Sequence, residues 1–240
     1  MFEISLRRGN NFRFVIYQIF KVGVVRIFFL TMFLASESLR EKAIFQEGKM
    51  RLFIGIRFNE LMIEELWRLE KCLQNAAISG TFIRKENFHL TLSFLGETES
   101  IDTVVQIMNR LEFPVFSLML KGIGSFCSDQ KGKTIWVGVE YSEQLQSLQR
   151  TLERSLLESG YSLEMRAFQP HITLGRKVLL REDSYLNELS RAVLQQKMQV
   201  ERISLMRSEI QQGVRMYKEV YSKELSRINQ SIPCQSFETN

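Results

Sequence analysis

The sequence predicts an α+β protein of two similar lobes, mainly antiparallel sheets with outer helices, facing one another across a central cleft. Three observations carry that expectation. From Met50 onward, short strand-like segments alternate with amphipathic helical stretches. Two near-identical tetrapeptides, His89-Leu90-Thr91-Leu92 and His171-Ile172-Thr173-Leu174, recur 82 residues apart and hold the only two histidines of the chain. Near-copies at that spacing read as an internal duplication whose halves face each other.

Each element follows from its local pattern. Leu52 to Phe58 reads as an opening strand. Leu61, Ile63, Leu66, Trp67, Leu69, Cys72 and Leu73 then repeat about one helical turn apart. His89 to Leu95 is the first motif strand and Ile101 to Leu111 the next helix. Phe116 to Leu120 and Thr134 to Val139 read as strands around a polar loop. In the second half, Leu145, Leu148, Leu152, Leu156 and Leu157 form one helical face, with Gly160 as its stop signal. His171 to Leu174 is the second motif strand, and Tyr185 to Gln195 suggests a further helix. Val200 to Met206 and Val214 to Tyr221 form a terminal hairpin, with Gln211-Gln212-Gly213 as its turn. The Leu and Trp stripes are packing faces.

The duplicated tetrapeptide has a chemical reading. On a strand, residues two apart project from the same face, so each copy offers a His and a Thr to one surface and anchors itself with Leu or Ile on the other. An isolated histidine on such a strand is more often a satisfied structural residue. Two at equivalent places in a chain that avoids histidine elsewhere point to a paired site. Near neutral pH one imidazole can accept a proton while its partner donates one, each contributing about 10² to 10⁴ in rate. Threonine hydroxyls suit a phosphate, because they donate to its oxygens without adding a repelling charge.

Cys72, Cys127 and Cys234 are an odd, widely spaced set with no Cys-x-x-Cys pair. A disulfide framework is not expected. Zinc sites draw on clustered Cys and His, so neither a metal nor another cofactor is expected.

Residues 1–49 form an apolar, basic extension with three readings. Phe14 to Ala35 is strongly apolar but carries Lys21 and Arg26, leaving membrane insertion close to balanced. Ile27 to Ala35 also suits a signal-peptide core behind an unusually long basic stretch. The third reading is a mis-assigned start, because Glu47-Gly48-Lys49 would be encoded by a purine-rich run of ribosome-binding type just before Met50. The expected organisation is therefore this extension over 1–49, a two-lobed domain over 50–225 and a polar tail over 226–240.

The motifs resemble a known family, the two-histidine (2H) phosphoesterases, and within it the bacterial and archaeal RNA 2′,3′-cyclic phosphodiesterases formerly called 2′-5′ RNA ligases. The resemblance runs from Met50-Arg51-Leu52-Phe53-Ile54-Gly55-Ile56 through Arg84 to Leu92 and on into Phe94-Leu95-Gly96-Glu97. It continues with Gly124, Phe126, Ile135 to Val139 and Phe168 to Arg176, and closes with Ser208 and the Gly213 to Tyr217 hairpin. Roughly Met50 to Leu225 is covered. Cys127 stands where the family commonly has proline, and Gly175 where alanine is usual.

The resemblance implies the bilobed 2H phosphoesterase fold and metal-independent hydrolysis of RNA 2′,3′-cyclic phosphate ends to 2′-phosphomonoesters. It implies His89 as proton donor to the leaving oxygen and His171 as base for the attacking water, with Thr91 and Thr173 binding the phosphate. Arg176, three residues past Thr173, suits a phosphate or a base edge, or equally a surface salt bridge. Phe88, Phe126 and Trp136 suit either base stacking or core.

Charge narrows the partner. Residues 1–49 carry a net +4 and the remainder +1, so the domain lacks the bulk basic character that tracks along a duplex. RNA ends or small cyclic nucleotides are the expected partners, long-duplex binding is not expected, and a membrane enters only if residues 1–49 are genuine. The expected location is cytoplasmic. Competing readings are another 2H phosphoesterase acting on small cyclic nucleotides or RNA ends, and a non-catalytic nucleotide-binding module.

Overall fold

The computed structural model describes residues 50–98, 100–128, 132–164 and 166–227, apart from the side chains of Cys127 and Ser128. The readings of residues 1–49 and of the Cys127 and Cys234 side chains lie outside that description.

Among the described residues, nine strands form two sheets. The chain order is β1 (Met50–Ile56), α1 (Glu60–Ala76), β2 (Ala77–Phe82), a single 3-10 turn (Lys85–Asn87), β3 (Leu90–Thr98), α2 (Ile101–Arg110), β4 (Phe116–Ser128) and β5 (Gly132–Val139). It continues with α3 (Glu143–Glu158), β6 (His171–Leu180), α4 (Tyr185–Arg191), β7 (Lys197–Val200), β8 (Arg202–Gln211) and β9 (Val214–Glu224). One sheet runs β3-β1-β8-β9 and the other β2-β6-β5-β4-β7, with every strand pairing antiparallel. The α+β class and the two facing sheets expected from the sequence are the observed architecture.

Local chemistry starts the first three helices and stops the third close to the expected positions. Asn59, Ser100 and Ser142 cap α1, α2 and α3 by accepting the backbone N–H of Met62, Thr103 and Leu145, each cap contributing about 1 kcal/mol. Gly160 ends α3 at φ +86°, where its N–H reaches the Leu157 carbonyl and that of Tyr161 reaches Leu156. This is the Schellman arrangement, which asks for a left-handed residue. The terminal hairpin closes through Gln212 and Gly213, both at positive φ, as a two-residue turn between Gln211 and Val214 requires.

The lobes are interleaved along the chain, which corrects the expectation that its two halves face each other. Helix α1 leaves the four-stranded sheet after β1 and packs with α4 against the five-stranded sheet. Helices α2 and α3 pack on the four-stranded sheet, which is completed by β8 and β9 from the far end of the chain. The first motif therefore sits in a lobe whose other strands come from both termini of the domain.

Other differences are local. Strand β2, Ala-Ile-Ser-Gly-Thr-Phe, has no apolar alternation and is mostly exposed at a sheet edge, so no stripe marks it. Strand β4 extends to Ser128, well beyond Leu120, because Gly124 and its polar neighbours still pair with β5. Helix α4 stops at Arg191, four residues short of the expected end, and β7 precedes the hairpin. Past the expected domain limit at residue 225, Ser226 still bonds Phe113 and Val115, and Arg227 pairs with Glu201. Among the described residues, no helix is long and apolar enough to cross a membrane.

Both motif strands place their residues as a two-residue period demands. Ile172 and Leu174 are buried while His171 and Thr173 face the cleft; Leu90 and Leu92 are buried around Thr91. Gly55 of β1 lies opposite Thr91, where an added Cβ would sit 2.7 Å from the Leu90 carbonyl oxygen. Glycine there lets β1 approach the motif strand closely. A β-bulge before Phe94 breaks the alternation and turns that ring outward.

Candidate active site

Each histidine is held by the backbone two residues ahead of it. Asn87 ends the 3-10 turn, and its carbonyl accepts the Nδ1–H of His89 at 2.7 Å. The Gln169 carbonyl accepts the Nδ1–H of His171 at 2.8 Å. A carbonyl oxygen can only accept, so Nδ1 carries the proton in both rings and the neutral imidazole keeps Nε2 unprotonated. The intervening residue sets the geometry in each case. Phe88 has φ −67°, close to the value of about −65° to which a proline ring such as that of Pro170 is confined.

The supports then differ. Buried Asn87 donates from Nδ2 to the Arg215 carbonyl at 2.9 Å and accepts the Tyr217 N–H at 3.3 Å, pinning the first turn to β9. Gln169 is exposed, and the rigid Pro170 supplies the order instead.

Aromatic rings flank both imidazoles. Phe53 lies 4.6 Å and Tyr217 4.9 Å from the His89 ring, the latter edge-on. Phe126 meets the His171 ring edge-on at 4.9 Å, with Trp136 at 6.0 Å. The Trp136 indole lies across Gly124, its cross-strand partner, so close that an added Cβ would fall 2.1 Å from its Cη2.

This packing sets the proton affinities. Burial pushes His89 down to about 4, further lowered by the Arg176 charge and by His171, against the Asn87 carbonyl that raises it. His171 is also held below the ordinary imidazole value, first by burial and then by Arg176 and Arg166, with the Gln169 carbonyl opposing. Among the described residues, neither ring has a carboxylate partner to favour its cation. Both favour the neutral form until an anion arrives.

The two rings share one cleft of about 440 Å³, within the range of small-molecule sites. His89, Thr91, His171, Thr173 and Arg176 all line it. The five residues singled out from the sequence are thus brought together from β3, its preceding turn and β6. Arg176 is exposed and makes no ion pair among the described residues, so the salt-bridge alternative has no counterpart there.

The family model of the 2′-5′ RNA ligase superfamily matches residues 63–211, a span that includes both histidine motifs. The chain belongs to the 2′-5′ RNA ligase superfamily. An RNA 2′,3′-cyclic phosphodiesterase of Thermotoga maritima is 36% identical over 131 residues, covering 53% of this chain and 70% of that protein. One from Methanothermobacter thermautotrophicus is 31% identical over 170 residues, covering 68% of this chain and 91% of its own. The crystal structure of E. coli LigT complexed with 3′-AMP superposes with a TM-score of 0.63 at 24% identity, over 75% of this chain and all of LigT. The resemblance to 2H phosphoesterases, the bilobed fold and the reading of the chain as an enzyme of this group are upheld.

As a member of this superfamily the chain also shows residues that sequence reasoning left without a role. Asn87 and Gln169 act through their carbonyls, which no side-chain pattern reveals. Phe53 and Tyr217 come from strands remote in sequence. Of the three aromatics considered for stacking, Phe88 is buried in the core and Trp136 packs behind His171; Phe126 lines the cleft. Among the described residues, no group of three or more His, Cys, Asp and Glu is placed to hold a metal ion.

Proposed function

We propose that this protein hydrolyses RNA 2′,3′-cyclic phosphate ends to 2′-phosphomonoesters, with His89 and His171 as a general acid/base pair. The supporting observation is the twin lock: two imidazoles in one cleft, each with Nδ1 committed to a backbone carbonyl and Nε2 left for substrate. The names of the Thermotoga and Methanothermobacter relatives point the same way.

In this reading the cyclic phosphate sits between the motif strands, its oxygens accepting from the Thr91 and Thr173 hydroxyls. Neutral His171 takes a proton through Nε2 from a water as the water oxygen bonds to phosphorus. The P–O3′ bond breaks opposite, and the His89 imidazolium gives its Nε2 proton to the departing oxygen. The product carries its phosphate on O2′. Proton exchange with solvent then resets the pair.

The depressed proton affinities suit this scheme. With no carboxylate bonded to either ring among the described residues, the substrate phosphate supplies the charge that stabilises the imidazolium, so the acid becomes competent when substrate binds. Arg176 shares that anion and orients it. The scheme calls for no metal or other cofactor.

The test is a short RNA with a 2′,3′-cyclic end, assayed without added metal beside free cyclic mononucleotides. Conversion of the RNA to a 2′-phosphate end is expected. A 3′-phosphate product overturns the assignment of the leaving oxygen, and tight nucleotide binding without turnover from pH 5 to 8 would establish a non-catalytic module.

A further inference from the structure

One wall of the cleft has the wrong charge for a phosphate. Helix α3 turns Gln149 and Glu153, one helical turn apart, into the same cleft as the histidines. Gln149 is only 7% exposed, and its Nε2 donates to Glu153 Oε2 at 3.2 Å. Glu164, also in the lining, is paired with Arg166, whereas Glu153 meets no Lys or Arg within ion-pair distance among the described residues. A carboxylate left without countercharge repels the anion that Arg176 attracts. That part of the cleft therefore suits a neutral, donor-bearing part of the substrate. Ile83, Leu92, Leu163 and Phe168 add apolar surface to the lining of the same cleft, as a flat ring requires.

We propose that Glu153, steadied by Gln149, selects guanine as the base of the nucleoside that carries the reacting phosphate. An ionised carboxylate only accepts hydrogen bonds. Guanine alone among the four bases places two donors side by side, N1–H and the N2 amino group, matching the two oxygens of a carboxylate. Adenine and cytosine set a ring nitrogen acceptor beside their single amino group, and uracil flanks its one N–H with two carbonyls. Each of these three turns a lone pair toward Glu153. The Gln149 amide, bonded to Oε2, fixes the carboxylate plane; each carboxylate oxygen has two lone-pair sites, so Oε1 and the second site of Oε2 both serve the base.

The inference rests on the hydrolase reading but is measured separately from it. The experiment compares kcat/KM for the 2′,3′-cyclic monophosphates of guanosine, adenosine, cytidine and uridine, in wild type and in Glu153→Gln. The guanosine substrate is expected to exceed the adenosine one by about tenfold or more, the discrimination of a two-point contact. In Glu153→Gln that ratio is expected to fall within about threefold of unity. Equal turnover of all four by wild type overturns the proposal. So does a variant that loses activity equally on every base, which would place Glu153 against the ribose. The affinities of wild type for guanosine and adenosine 2′-monophosphates, by calorimetry, need neither turnover nor a folded variant, and equal values also overturn it. Absence of turnover on all four with a clear guanosine preference in binding would refute the hydrolase reading and leave the base assignment standing.

Discussion

Asn87 holds His89 in place with its backbone and holds itself in place with its side chain. Its carbonyl accepts from the imidazole at 2.7 Å, while its amide bonds the backbone of Arg215 and Tyr217 on β9. Replacing it by alanine keeps the carbonyl but strands two backbone groups and frees the turn. Asn87→Ala is expected to lose about 1 to 3 kcal/mol of stability and about 10- to 100-fold in kcat. Denaturant unfolding and single-turnover rates check the two effects. Unchanged kcat would mean that the turn is rigid without this side chain.

Acid should destabilise the fold through His89. Its pKa is held at about 4, mainly by burial, against the ordinary imidazole value of 6.5. Between those values the unfolded chain binds the proton more readily than the folded one, so stability is full above pH 6.5 and falls as pH drops toward 4. Water in the cleft screens part of the penalty, leaving about 1 to 3 kcal/mol. Unfolding midpoints in urea across pH 4 to 7 measure it. His89→Gln should flatten the slope in that window.

The rate profile should lie on the acid side of neutrality. One imidazole must be charged and one neutral, and both are held below 6.5, so kcat/KM of the free enzyme is expected to decline above about pH 6.5 whichever ring is the acid. Arg176 lowers both rings after burial does. Arg176→Ala is expected to move both limbs to higher pH and raise KM about tenfold, whereas Arg176→Lys keeps the limbs in place. Limbs unmoved by the alanine variant would remove Arg176 from the electrostatics of the pair.

Gly124→Ala should act on His171 from behind. The new Cβ would fall 2.1 Å from the Trp136 ring, which lies tilted 6.0 Å from the His171 ring. The indole must shift, at a cost of about 1 to 3 kcal/mol. Lower thermal stability with altered tryptophan fluorescence and reduced kcat is expected. An unperturbed rate would show that His171 does not depend on this packing.

The placement of the site residues in one cleft was legible because their motif repeats. His89 and Thr91, His171 and Thr173 each obey the two-residue period of a strand, and the duplication drew them together without any structure. What supports them was not legible. Asn87 and Gln169 contribute carbonyls, which every residue carries. Tyr217 and Phe53 reach His89 through strand pairings far apart in sequence. The exchange of helices between lobes left no local signal either, since α1 and α3 have the same amphipathic stripe whichever sheet they cover. Strand β2 escaped notice because an exposed edge strand has no face to bury. The carboxylate of Glu153 gained meaning only from its place in the cleft lining, with no Lys or Arg at ion-pair distance among the described residues.

The central claim is that the two imidazoles work on one phosphorus as donor and acceptor. The most direct measurement is single-turnover hydrolysis of a cyclic-ended RNA by wild type, His89→Ala and His171→Ala, with folding of each checked by thermal unfolding. The account predicts a loss of at least about 10²-fold in each variant and little further loss in the double variant, because the two act as a unit. Near-wild-type hydrolysis by folded His171→Ala would contradict it.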